Sequence, residues 1–216
     1  MTDRKKHIFI TIEGGEGSGK TTQSLLLKEY LERNDYEVFL TREPGPDASV
    51  LAEIIRNIIL EPTSNLVPLS ELFLFEAARA HQVKKFIYPA LKAGKIVVCD
   101  RFVDSTVAYQ GYGRKLSLKL IDELNSAASF GLEPTLTLYL DIMPSIGLNR
   151  AKEANRKSYG GYGDRIEKES IKFHNDVRKG YLKRAVKCSK RIKIVKTQET
   201  PEKTHALIKG IVDKVL

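Results

Sequence analysis

Residues 7–21 run His7-Ile-Phe-Ile-Thr-Ile-Glu-Gly-Gly-Glu-Gly-Ser-Gly-Lys-Thr21. The apolar, β-branched half, 7–13, predicts a buried strand that stops at Gly14 and Gly15. From Gly19 to about Arg33, the residues Leu25, Leu26, Leu27, Tyr30 and Leu31 fall at helical spacing. Between strand and helix, Gly14–Thr21 fits the pattern G-x-x-x-x-G-K-[ST]. Eight residues alone match by chance, but a hydrophobic strand before them and an amphipathic helix after them supply the context that the pattern needs. Glycines let the backbone wrap closely about a phosphate with its N–H groups turned inward, and the helix N-terminus adds partial positive charge. Gly14, Gly15, Glu16, Gly17, Ser18, Gly19, Lys20, Thr21 and Thr22 are therefore the candidate triphosphate cradle. In it Lys20 reaches the β- and γ-phosphates and the Thr21 hydroxyl is a candidate Mg²⁺ ligand. The bland alternative is a glycine-rich strand-to-helix turn with no ligand.

Working outward, further strands are predicted at 36–41, 95–100, 135–141 and 191–196. Helical patterns fall at 49–60, about 70–91, 117–130, 144–155, 165–187 and 201–215. Strands that alternate with helices imply an α/β chain with a parallel sheet and right-handed crossovers. The expectation is a P-loop NTPase fold: a five-stranded parallel sheet flanked by helices on both faces, with a small lid. The whole of 1–216 is expected to form one domain, with the lid at about 150–165. The lid assignment rests on Ser158-Tyr-Gly-Gly-Tyr-Gly163, the only glycine-rich stretch outside the first loop, which lies between two helical patterns. A site of this kind needs an acidic group beside Mg²⁺ at the end of a neighbouring strand. Asp100, closing the run Ile96-Val-Val-Cys99, is the candidate, with a structural ion pair to Arg101 as the alternative.

Composition narrows the setting. The chain has 216 residues, 42% hydrophobic and 29% charged, which is ordinary for a globular protein with a real core. No apolar run approaches the roughly 18 residues of a membrane span, and no signal-peptide pattern follows the charged N-terminus. Cys99 and Cys188 are too few and too far apart for a metal site or a disulfide framework. A cytoplasmic protein is expected. The net charge of +9 admits nucleic acid as a partner. The basic stretch Lys187-Cys-Ser-Lys-Arg-Ile-Lys-Ile-Val-Lys196 carries no interleaved aromatics for base stacking, so it is read as a solvated basic face, and no nucleic-acid or membrane partner is expected. There is no Asn-Lys-x-Asp guanine signature, and Arg101-Phe102 stands where a helicase or motor carries a second acid.

Four further segments resemble thymidylate kinases, in family order. They are Thr41-Arg-Glu-Pro-Gly45, Leu72-Phe-Leu-Phe-Glu-Ala-Ala-Arg-Ala-His81, Asp100-Arg-Phe-Val-Asp-Ser-Thr-Val-Ala-Tyr-Gln-Gly111 and Asp164-Arg-Ile-Glu167. The resemblance implies an enzyme that moves the γ-phosphoryl group of ATP to dTMP, with Mg²⁺, in a homodimer. It also implies residue roles. Phe75 would stack on thymine, Arg79 would bond the base and orient the monophosphate, and Gln110 would read the thymine edge. Arg42 and Arg101 would clamp phosphate oxygens, Glu16 would sit near the sugar 3′-hydroxyl, and Ser105 and Tyr109 would line the sugar. Each role has a bland alternative: Phe75 as a core residue, Arg79 as a solvated helix residue and Tyr109 as simple packing. Two rival functions remain: a kinase for another nucleotide or deoxynucleoside, and a non-enzymatic P-loop ATPase that binds nucleic acid.

The loop itself contains no arginine. Transition-state charge must then be met from elsewhere, and the family's lid-arginine type matches Arg150, Arg156 and Arg165 around the candidate lid. Arg150 or Arg156 is expected over the phosphates when the lid closes. The attacking phosphate oxygen is already an anion, so no general base is expected.

Overall fold

A computed structural model describes residues 7–45, 49–158 and 163–216. Five strands form one sheet: β1 (Phe9–Gly14), β2 (Val38–Arg42), β3 (Ile96–Asp100), β4 (Leu136–Asp141) and β5 (Ile192–Lys196). All pairings are parallel and the spatial order is β2-β3-β1-β4-β5. The helices are α1 (Lys20–Glu32), α2 (Val50–Leu60), α3 (Pro68–Gln82), α4 (Tyr88–Lys92), α5 (Val103–Thr106), α6 (Leu118–Ala128), α7 (Pro144–Ser158), α8 (Ile171–Lys187) and α9 (Pro201–Val212). Among the described residues no helix is long and apolar enough to cross a membrane.

The continuous apolar strands reflect cover on both sides. Alternate residues of β1, β3 and β4 point to opposite faces. Ile10, Ile12, Val98, Leu138 and Leu140 meet Leu27 and Leu31 of α1 and Ile208 and Val212 of α9. Phe9, Val97 and Cys99 meet Val83, Ile87, Leu91 and Phe102 on the other face. Tyr139 extends that face under α8, against Val177, Tyr181 and Ala185.

The long helical pattern at 70–91 begins earlier, because Pro68 suits the first turn, and is interrupted by a π-helical turn at Val83–Ile87. Pro89 lacks the N–H that would bond the carbonyl four residues back, and the wider turn lies directly before it. A second π-helical turn, Val107–Gly113, continues α5. The pattern at 165–187 becomes a helix only from Ile171, capped by Ser170, whose Oγ accepts from the Phe173 N–H. Residues 164–169 are instead a turn tied to the end of α2, where the Arg165 N–H donates to the Leu60 carbonyl.

The carboxyl ends of the strands share one edge. Gly14 lies opposite Leu140, and both Ile12 and Arg42 lie opposite Asp100. The chain order switches direction on either side of β1, and it is outside the carboxyl ends at such a point that open α/β sheets place their ligands.

Candidate active site

The loop after β1 is held by its own side chains. Ser18 Oγ and Lys20 Nζ both donate to the Gly15 carbonyl, at 2.8 and 2.9 Å. Gly19 caps α1 with φ +88°, and no side chain caps the helix, so its first N–H groups are left to the loop. At Gly17, φ is +62° and a Cβ would fall 1.9 Å from the Gly147 carbonyl oxygen on α7. Only glycine lets the helix lie against the loop. Burial, and the cation of Arg101, lower the Lys20 ammonium below its ordinary pKa, while Glu16, Asp100 and Glu13 oppose that effect. A phosphate would restore the balance.

Thr21 Oγ1 donates to Asp100 Oδ2 at 2.8 Å. This brings together two hard oxygens at the loop's edge. No cluster of three or more His, Cys, Asp or Glu side chains suited to a metal occurs among the described residues. A pair of protein oxygens is nonetheless the donor set that Mg²⁺ takes when phosphates and waters complete its shell. The residues fit that ion.

A groove runs from Gly17, Ser18, Gly19 and Thr22 between Arg150 of α7 and the segment Thr197–Pro201 that leads into α9. Its far wall was invisible in the sequence, where residues 188–216 carry no motif. The one available signal is Thr200-Pro201, a cap and first-turn pair that places the start of α9. Arg156 does not share this groove. It lines a separate depression together with Glu153 and Glu167. Arg165 is engaged away from the groove: its guanidinium donates to the Ile59 carbonyl and to Glu71. Residues 159–162 of the expected lid lie outside the described residues.

On the other side of the loop a cleft of about 640 Å³, its open mouth included, gathers Glu16, Phe75, Arg79, Arg101, Ser105, Tyr109 and Gln110. Phe75 is partly buried and packs near Ile55, Ile59 and Ala78 while lining the cleft. The π-helical turn at 107–113 brings Tyr109 and Gln110 onto the cleft wall. Arg101 joins cleft to loop. It donates to the Gly14 carbonyl at 3.0 Å and to Glu16 Oε1 at 2.8 Å, and lies over the Tyr109 ring. Tyr109 also donates to Glu16 Oε1, at 2.7 Å. Burial opposes ionisation of Glu16, but Arg101, Lys20 and the Tyr109 hydroxyl outweigh it and hold the carboxyl down at about 2.

Arg79 is the surprise. It is 1% exposed, and its five N–H donors go to Glu43, Glu76, Asn125 and Thr106. Its edge lines the cleft, but any base contact has to share a donor already in use. Arg42, exposed at the end of β2, does not line the cleft. Arg56 does, and the sequence reading missed it. Burial, and the proximity of Arg42, lower its pKa, as expected where cations crowd without enough acid. Its position four residues after buried Ala52, on the inner face of α2, was the signal.

Glu13, also missed, is fully buried. Its carboxylate accepts from the Phe102 N–H, Ser105 Oγ and Tyr181 Oη. These bonds fix the turn in which Arg101 adopts φ +73°. Burial, and then the Asp104 carboxylate, push Glu13 up to about 7.

A phosphate loop on a parallel sheet, a hydroxyl–carboxylate pair beside it and a second cleft joined to the loop by one arginine define a P-loop kinase of small acceptors. Comparison with known proteins narrows the class. The family model for thymidylate kinase matches residues 12–208. A thymidylate kinase of Synechococcus sp. (strain JA-3-3Ab) is 45% identical over 205 residues, 95% of each chain. That of Syntrophotalea carbinolica is 47% identical over 193 residues, covering 89% of this chain and 88% of its own. A crystal structure of thymidylate kinase from Ehrlichia chaffeensis superimposes with a TM-score of 0.75 at 34% identity, covering 95% of this chain and 98% of that one. The chain belongs to the thymidylate kinase family, enzymes that phosphorylate dTMP to dTDP with ATP.

Proposed function

We propose that the groove beside Arg150 takes Mg·ATP and the cleft around Phe75 takes dTMP, so that the two phosphates meet at Lys20 and Arg101. The observation that carries this reading is the position of Arg101, bonded to both the loop carbonyl of Gly14 and the cleft residue Glu16. The loop N–H groups and Lys20 hold the β- and γ-phosphates. Thr21 and Asp100 hold Mg²⁺, which when bound neutralises charge on the β- and γ-oxygens. Phe75 stacks on the pyrimidine, Gln110 reads its edge, and Ser105 and Tyr109 line the sugar near Glu16. Arg79 acts mainly as a buried counterion in the cleft wall. Arg56 and Arg101, which line the cleft, take the monophosphate, and Arg42, outside the lining but close to Arg56, adds positive charge; Arg is suited to this because its planar fork makes bidentate bonds.

A dTMP phosphate oxygen attacks the γ-phosphorus as the bond to the β–γ bridging oxygen breaks, and ADP leaves carrying the electron pair. The nucleophile is already an anion, so no side chain takes a proton. Arg150, beside the loop, rather than Arg156, meets the charge that develops on the transferred group. Val50, Leu51, Ile54 and Ile58 of α2 and Leu69 and Phe73 of α3 are exposed apolar residues on neighbouring helices, which supports a homodimer through this face.

The test is ADP production with Mg·ATP and a panel of dTMP, dUMP, dCMP, dGMP, AMP and thymidine. Turnover should rise well above background with dTMP. A panel in which no acceptor stimulates turnover would remove the kinase reading and leave the nucleic-acid-binding ATPase as the one to pursue.

A further inference from the structure

The cleft presents a hydrogen-bond acceptor to its ligand, and the orientation of that acceptor is set from behind. Gln110 is 2% exposed, and its Nε2 donates to Glu71 Oε1 at 2.8 Å. Glu71 is itself fully buried at the centre of a cationic cluster. Arg114 Nε and Nη2 donate to its two oxygens at 3.1 Å each, and Arg165 Nη2 donates to Oε2. Burial raises the proton affinity of this carboxyl, but the bonds from Arg114 and Gln110 more than offset it, so the carboxyl stays ionised. An ionised carboxylate only accepts hydrogen bonds. Gln110 must therefore turn its amide nitrogen toward Glu71, because the flipped amide would set two acceptor oxygens against each other. Among the described residues, no donor reaches Gln110 Oε1, while the side chain lines the cleft.

The geometry points to Glu71 as a specificity-determining positioning residue: by locking the Gln110 amide it makes the cleft offer an acceptor, which selects pyrimidines whose N3 carries a hydrogen and rejects cytosine. This rests on the reading of the cleft as the dTMP site. Thymine and uracil both present N3–H as a donor. Cytosine presents a bare N3 lone pair there, so it meets acceptor with acceptor. Sites built around a specific hydrogen bond discriminate strongly against the analogue that leaves it unmade. Glu71 touches no substrate. It acts through Gln110, while Arg114 and Arg165 keep it charged.

The experiment compares kcat/KM for dTMP, dUMP and dCMP in wild type, Glu71→Gln, Gln110→Leu and the double variant, with thermal melts of each. A glutamine at 71 can donate to Gln110 Oε1, so the Gln110 amide is free to turn its NH₂ to the cleft. In Glu71→Gln the dTMP:dCMP ratio should fall at least tenfold, through the KM for dTMP. The KM for ATP should hold, and dUMP should follow dTMP. In the Gln110→Leu background the same change should shift the ratio less than twofold. A folded Glu71→Gln enzyme that keeps the wild-type ratio overturns the inference. So does an effect undiminished in the Gln110→Leu background. Should Glu71→Gln fail to fold, Gln110→Leu alone decides: the ratio must collapse, and its retention overturns the inference. A wild type without preference for dTMP removes the reading of the cleft itself, a failure visible before any variant is made.

Discussion

Arg79 neutralises Glu43 and Glu76, both of them buried. Removing one partner of a buried pair leaves an uncompensated charge, which costs about 3–5 kcal/mol. Arg79→Ala should therefore lower the denaturant midpoint steeply, and Arg79→Lys should recover little, because an ammonium cannot reproduce five planar donors. Equilibrium urea unfolding checks both; an alanine variant as stable as wild type would show that the pair carries no net weight. Glu13 gives a pH signature. Its folded pKa of about 7 lies above its ordinary 4.5, so the folded state holds a proton that the unfolded chain releases first. Its stabilising contribution is full below about 4.5 and is lost as pH rises through 7, on the order of 3 kcal/mol in all. Glu16 is shifted the opposite way, and its contribution is lost only as pH falls from 4.5 toward 2. Melts between pH 5 and 7.5 should then show wild type losing stability relative to Glu13→Gln; parallel curves would contradict the shift. The motif residues were legible because their chemistry needs fixed spacing. The roles of Glu13, Glu43 and Glu71 were not, since spacing does not show which donors the fold sets against a carboxylate: a backbone N–H and two hydroxyls at Glu13, arginines at the other two. The same holds for Arg191: the stretch read as a solvated basic face turns this residue inward, where it pairs with buried Asp104.

At the level of elements, β-branched runs bounded by glycine, proline or charge placed all five strands within about three residues, because covered parallel strands have few other ways to read. The helices were less sharp where local and tertiary demands diverged. Segment 103–113 is helical, in part as a π-helical turn that the spacing did not foretell and that sets the register of Tyr109 and Gln110. The start of α8 was misplaced because Arg165 and Ile166 carry helical spacing yet anchor to α2. The contact between α7 and the loop has no sequence signature beyond two glycines. A Cβ on Gly147 would lie 2.2 Å from the Glu16 carbonyl oxygen, so Gly147→Ala must push α7 away from the loop. Arg150 moves with it. The KM for ATP should rise about tenfold or more and kcat should fall, while the KM for dTMP changes little, since the cleft lies across the loop from α7. Steady-state kinetics with each substrate varied in turn separates these. Equal rises in both KM values would mean that the loop as a whole had collapsed.

At the scale of the whole molecule, β1 sits between β3 and β4, and the loop at its end has a groove on one side and a cleft on the other, which the proposed function assigns to donor and acceptor. α2 serves both the cleft and the outside. Its inner face carries Ala52, Ile55, Arg56 and Ile59, while Val50, Leu51, Ile54 and Ile58 point outward at 42–73% exposure. Leu69 and Phe73 extend the outer stripe on α3, at 40% and 50%. Single exposed apolar residues are ordinary, but a stripe shared by two packed helices is a surface that water covers at a cost and a second copy covers well. A two-fold dimer through it would also brace α2 from behind, and with it Arg56 in the cleft. Sedimentation velocity should return twice the chain's 24.3 kDa. Ile54→Asp with Phe73→Asp should shift it to the monomer, since burying two new charges without partners is strongly unfavourable. In that monomer the KM for dTMP should rise more than the KM for ATP, because Arg56 loses its support while the groove beside α7 is remote from the change. A wild type that sediments as a monomer at micromolar concentration would leave the stripe without a partner. A dimer untouched by the double substitution would place the interface on another face.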